Sequence, residues 1–116
     1  MPQYLLLLHE SSTAAAGISP GEMEAIIKRY GAWSANVAAK GHMRGGNKLQ
    51  DGTGRVMQVS AGRLSVTDGP YAESKEVLGG YFLIEASDYD EAVRVAGDCP
   101  HLDFGKIEIR EIEPTE

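Results

Sequence analysis

Histidine is the side chain that exchanges a proton near neutral pH. His9 stands at the end of a leucine run, beside Glu10 and just before a small polar stretch. The densest polar segment of the chain lies far downstream: Asp68-Gly69-Pro70-Tyr71-Ala72-Glu73-Ser74-Lys75-Glu76. Together these residues can be assigned to acid–base chemistry. Asp68 would orient His9 or share its proton, Lys75 would hold an acidic substrate, and Tyr71 or Tyr81 would line the cavity. The same segment also reads as a plain turn, with Asp68 bonding its own backbone and Gly69-Pro70 setting the dihedrals.

Other motifs carry less. His9, His42 and His101 show no His-Glu-x-x-His spacing, so no metal site is expected, and His42 and His101 read as surface or loop residues. Gly41, Gly45 and Gly46 precede Lys48 without forming a phosphate loop, because Asn47 stands where the lysine is required. Gly52-Thr53-Gly54 lacks the third glycine of a dinucleotide fingerprint. Cys99, the only cysteine, has no neighbouring cation and reads as a buried, inert thiol; it excludes an internal disulfide and suits a reducing cytoplasm. No cofactor is expected.

These residues need elements to position them. Residues 4–8 are apolar on successive positions, which predicts a central first strand. Ser19, Pro20 and Glu22 form a helix start, and Met23, Ile26, Ile27, Tyr30, Trp33 or Ser34, and Val37 make its buried stripe up to a cap at Gly41. Residues 42–49 read as a short strand followed by a glycine turn, and residues 55–60 and 63–67 as a hairpin across Ala61-Gly62. Tyr81, Phe82, Leu83 and Ile84 predict a second central strand. Asp88 and Glu91 open a short helix through Ala92, Val93 and Ala96, and residues 106–112 alternate as an edge strand.

That order fits a single domain over 1–116, an α+β, ferredoxin-like split β-α-β with an inserted hairpin. In this topology strand one ends, helix one begins and strand three starts at one rim, so His9, the 68–77 loop and the backbone N–H groups near Pro20 converge there. Two helices cover one sheet face only. The leucines and aromatics on the other face predict a second copy packed against it, as a homodimer.

The chain has 116 residues, 42% hydrophobic and 24% charged, with a net charge of −6. Residues 1–60 carry six basic and four acidic groups, and residues 61–116 five and thirteen. An acidic chain with so little segregated basic charge is a poor partner for nucleic acid. The run Leu5-Leu6-Leu7-Leu8 is closed by Glu10, far short of the ~18 residues of a membrane helix, and no basic residue precedes it, so no membrane association and a cytoplasmic location are expected.

The string DGPYAESKEVLGGYFLIEA, with the opening YLLLLHE and the closing CP and KIEIREIEP, resembles the DGPF family within the YCII-related superfamily over nearly the whole chain. The resemblance implies a dimeric α+β barrel related to muconolactone-isomerase-like proteins and small cofactor-free oxygenases. Tyr71 replaces the family's usual phenylalanine. Smaller superfamily members pair a histidine in helix one with an aspartate in the later loop; helix one here holds Lys28, Arg29 and Tyr30 instead, so only Asp68 carries over. The expected function is a small cofactor-independent enzyme that moves protons on, or adds or removes water or halide from, a small polar or aromatic acid. The alternatives are a non-catalytic binding or regulatory module, since family members occur beside or fused to sigma-factor regulators, and a plain dimerisation domain.

Overall fold

In a computed structural model, which describes residues 1–11, 17–68 and 76–114, the elements run β1 (Gln3–Ser11), α1 (Pro20–Ala39), β2 (Met43–Lys48), β3 (Arg55–Ser60), β4 (Arg63–Asp68), β5 (Glu76–Glu85), α2 (Tyr89–Ala96), a 3-10 turn (Pro100–Asp103) and β6 (Gly105–Glu111). Four strands form one antiparallel sheet in the order β2-β5-β1-β6, and β3-β4 form a separate hairpin. The architecture is α+β, with β1 and β5 central and β6 at an edge, as the apolar patterning requires.

Local chemistry sets the helix ends. The Ser19 hydroxyl accepts the Glu22 N–H at 3.1 Å and donates to the Glu22 carboxylate at 3.0 Å. At the other end Gly41 adopts φ 81°, Gly41 N–H donates to Ala38 O and His42 N–H to Val37 O, the paired bonds of a glycine-terminated helix. Asp88 accepts the Glu91 N–H at 2.8 Å, and the Glu91 carboxylate reaches back to Ser87 N–H at 2.8 Å.

Because side chains alternate across a strand, Tyr4, Leu6 and Leu8 of β1 are buried under the helices with Ile84 of β5. Trp33 and Val37 of α1 and Ala92 and Ala96 of α2 press on them. Trp33 meets Phe82 edge-on at 4.9 Å and donates its indole N–H to Val95 O at 3.2 Å. The buried stripe of α1 is shorter than its sequence suggests. Ile27 is exposed, because only the C-terminal half of the helix reaches the core, and Val93 of α2 is exposed, because the two alanines make the contact.

Residues 42–49 correct the expected glycine turn. Gly45 and Gly46 lie within β2, opposite Leu83 and Phe82. A Cβ on Gly46 would crowd the Phe82 ring and the Tyr81 carbonyl, so glycine there serves close strand approach rather than a turn.

The expected Ala61-Gly62 hairpin turn forms with both residues left-handed, φ 53° and 77°. Alanine is strained there and asparagine is not. Ala61→Asn is expected to slow amide exchange in β3 and β4 severalfold, equivalent to about 1 kcal/mol. Unchanged protection would show that the turn does not limit hairpin opening.

Candidate functional site

The last residues of β1 are set by a register shift. Leu8 pairs with Gly80 but His9 pairs with Leu78, so Gly79 is an extra residue bulged out of β5. Alternation along β1 then places His9 on the face without helices and Glu10 on the helix face. The Glu10 carboxylate fills the space where a Gly79 side chain would sit.

His9 is held from both sides. Its side chain is 24% exposed, and Nε2 lies 2.9 Å from the Glu108 carboxylate on β6. A carboxylate accepts only, so Nε2 carries the proton of the neutral ring and Nδ1 is the basic nitrogen. Nδ1 faces Glu76 at 3.5 Å, beyond good hydrogen-bond length, and Glu76 lies 3.0 Å from Lys106 Nζ. His9, Glu10, Ser11, Glu76, Gly105 and Lys106 surround an open hollow of about 230 Å³. The arrangement resembles a general base whose far nitrogen is oriented by a carboxylate, beside a cation that attracts acids.

Behind this rim, His101 corrects the expectation of a surface histidine: it is only 3% exposed. Its Nε2–H donates to the His9 carbonyl at 2.8 Å, so Nδ1 accepts the Tyr30 hydroxyl proton at 3.0 Å. The ring ties the 3-10 turn to α1 and to the backbone of His9. Burial pushes the Tyr30 hydroxyl far above its ordinary value of 10.0. A group with a raised folded pKa contributes stability below the unfolded pKa and loses it as pH rises beyond. Stability is therefore expected to decline above pH 10, where the unfolded chain ionises Tyr30 first. Tyr30→Phe should flatten that part of a urea-midpoint profile, and an unchanged slope would assign it to other groups. His42 is half-buried, with Nδ1 2.8 Å from the Glu85 carbonyl.

The other expected site residues divide. Tyr81 lies on the same bare face, opposite Leu7, and its hydroxyl accepts from Asn47 Nδ2 at 3.1 Å. Asp68 is exposed at the end of β4, 3.3 Å from Arg55 across the hairpin. His9 meets Glu108 and Glu76, because β6 lies directly beside β1 and Glu76 opens β5, while Asp68 pairs with Arg55 at the end of the separate hairpin. Tyr71 and Lys75 lie outside the described residues. Cys99 is buried, and desolvation raises its thiol pKa, which suits an inert role.

Glu76 came to the rim only as the end of the polar segment, and Glu108, Lys106 and His101 were not picked out from sequence. Glu108 and Lys106 read as the solvated face of an edge strand; only the β1-β6 register, Leu7 with Glu108 and His9 with Lys106, brings them to the histidine. A second hollow of about 200 Å³, between α1 and α2 near Trp33, Lys40 and Arg94, lies on the helix side. Among the described residues no cluster of metal-binding side chains is found, and no described helix is long and apolar enough to cross a membrane.

Comparison with known proteins adds four similarities. The profile of the YCII-related domain matches residues 3–116. An uncharacterised protein of Rhizobium meliloti (strain 1021) is 29% identical over 110 residues, covering 92% of this chain and 89% of that protein. Among solved structures, 5-chloro-2-hydroxyhydroquinone dehydrochlorinase (TftG) of Burkholderia phenoliruptrix AC1100, in complex with 2,5-dihydroxybenzoquinone, is 16% identical with a TM-score of 0.48, over 96% of this chain and 93% of that one. The Arabidopsis thaliana protein At3g17210 is 14% identical with a TM-score of 0.41, over 100% and 97%.

Proposed function

From the premise that this chain belongs to the family of YCII-related domains, we propose that it is a small-molecule enzyme that moves a proton on a small polar or aromatic acid, with His9 as the acid–base residue. The observation that carries this reading is His9 fixed by Glu108 on one nitrogen while the other faces a hollow flanked by Lys106. In the reaction, Nδ1 removes a proton from the carbon next to a carbonyl or an aromatic hydroxyl-bearing position. Glu108 stabilises the resulting imidazolium, whose proton exchanges with water in the open hollow before one returns to the substrate, so no co-reactant is needed. The substrate's carboxylate or phenolate competes with Glu76 for Lys106.

Tyr81 lines the same face in this proposal. Lys75 and Tyr71 join as ligand contacts because the chain runs directly from them into Glu76 at the hollow. Asp68 is kept as the anchor of that loop, while the orienting role goes to Glu108. The Asp68-Gly69-Pro70-Tyr71 string supports the finer assignment to the DGPF group, and the proposal adds that no cofactor takes part and that the protein works in the cytoplasm, which its single cysteine suits.

The working form is proposed to be a homodimer. Leu5 and Leu7 of β1 and Tyr81 and Leu83 of β5 form an apolar stripe on the face that no helix covers. At about 25 cal/mol per Å² such a stripe favours burial against a second copy.

The test is deuterium incorporation in heavy-water buffer, followed by NMR for a panel of 2-oxo acids, hydroxybenzoates and phenols. Enzyme-dependent exchange at carbon in at least one compound is the expected result. Saturable binding without exchange would instead identify a ligand-binding or regulatory module, and neither binding nor exchange would leave a dimerisation domain.

A further inference from the structure

The β3-β4 hairpin presents a face that is apolar beyond the Arg55–Asp68 ion pair at its base. Met57 pairs with Val66 and Val59 with Leu64, and these four side chains are 63%, 53%, 70% and 61% exposed. The reverse face carries Gln58, Ser60, Arg63, Ser65 and Thr67 with the single half-buried Val56. An isolated two-stranded hairpin is at best marginally stable in water, so a face of this composition requires a cover. The chain's own sheet and helices do not supply it. The radius of gyration is 16.2 Å, against about 13 Å for a compact domain of this length, and the long axes measure 48 and 46 Å beside a short one of 18 Å.

We infer that the hairpin is an exchange arm whose Met57, Val59, Leu64 and Val66 face lies on a second copy of this chain, against the bare sheet face near Leu78, closing that copy's His9 hollow. The inference rests on the dimer reading above and goes beyond it, because the partner contributes a wall to the site.

Three observations select a second copy as the occupant. The arm leaves the sheet between Lys48 of β2 and Glu76 of β5, and Glu76 is itself a wall of the hollow. Each strand of the arm has six residues and so spans about 20 Å, close to the ~19 Å width of a four-stranded sheet. The arm face offers roughly 400 Å² of apolar surface, the scale of the largest patch a monomer leaves bare. With a similar area from the sheet face, each chain reaches the ~800 Å² per partner of a stable interface. One twofold axis then covers both surfaces in both chains. Leu78, in register with His9 and 40% exposed, marks the end of the face where the arm seats.

Sedimentation between about 1 and 100 μM, with circular dichroism to confirm folding, provides the first test. Val59→Glu with Leu64→Glu should raise the dimer dissociation constant at least ~100-fold, while Gln58→Glu with Ser65→Glu on the reverse face changes it less than about threefold. A second measurement mixes differently tagged Val59→Cys and Leu78→Cys chains, which should form a disulfide between chains on oxidation. A wild-type dimer that survives Val59→Glu/Leu64→Glu and gives no cross-link overturns the arm and leaves the dimer standing. A wild-type monomer at the highest concentration overturns the dimer and the arm with it. When both cysteines are placed in one chain, a disulfide at monomer mass would show the arm folded onto its own sheet and would also overturn the inference.

Discussion

His9→Gln is expected to lower carbon–hydrogen exchange about 10²–10⁴-fold, the range associated with losing a positioned acid–base group. The fold should survive. His9 projects from the bare face of β1, outside the Tyr4, Leu6, Trp33 and Ile84 core, and a glutamine amide can still donate to Glu108. What glutamine cannot do is accept and return a proton, so the loss should appear in kcat more than in KM. Glu108→Gln separates orientation from chemistry. It keeps an acceptor for Nε2–H but removes the charge that stabilises the imidazolium, and an intermediate loss of about tenfold or more is expected. Exchange that proceeds at the wild-type rate in His9→Gln would remove the histidine from the mechanism.

Some of this arrangement can be read from the sequence and some cannot, for physical reasons. The central strands are legible because consecutive apolar residues, as in 4–8 and 81–84, mark a strand with neighbours on both edges and cover wanted on both faces. The helix starts at Ser19 and Asp88 are legible because capping is a local interaction, completed within three residues. The hairpin turn is local as well. Gly45 and Gly46 mislead because the same residue type serves turns and close strand approach, and only the Phe82 ring beyond Gly46 decides between them.

The site depended on the least local information of all. The end of β1 and its nearness to the start of β5 follow from topology, so His9 could be placed at a rim with Glu76 close by. Its orienting partner comes from strand register, which no short sequence window contains; shifting β6 by one residue would send Glu108 to the opposite face. His101 was misplaced for a related reason. A histidine after a proline in a short turn is ordinarily exposed, but two distant partners, the Tyr30 hydroxyl donating to Nδ1 and the His9 carbonyl accepting from Nε2–H, satisfy its ring when buried.

The same junction makes Gly105→Ala the most damaging small substitution expected in the described chain. Gly105 opens β6 opposite Glu10. A Cβ there would overlap the His9 carbonyl oxygen, with Glu10 Cα and His101 Nε2 both at 3.1 Å. Two of these three neighbours are backbone atoms of a central strand, and the third is a ring fixed by two hydrogen bonds, so none can yield cheaply. Overpacking of about 3 kcal/mol, together with loss of the His101–His9 bond at about 1 kcal/mol, should lower Tm by roughly 10–20 °C at a fixed protein concentration. Two controls make the same chemical change in other surroundings. Gly79→Ala meets only the movable Glu10 carboxylate and should cost about 1 kcal/mol or less, while Gly45→Ala meets open space on an edge strand and should be neutral or gain up to about 1 kcal/mol. A Gly105→Ala protein as stable as Gly45→Ala would mean that β6 can slide away from β1. Glu108 would then have no fixed place beside His9.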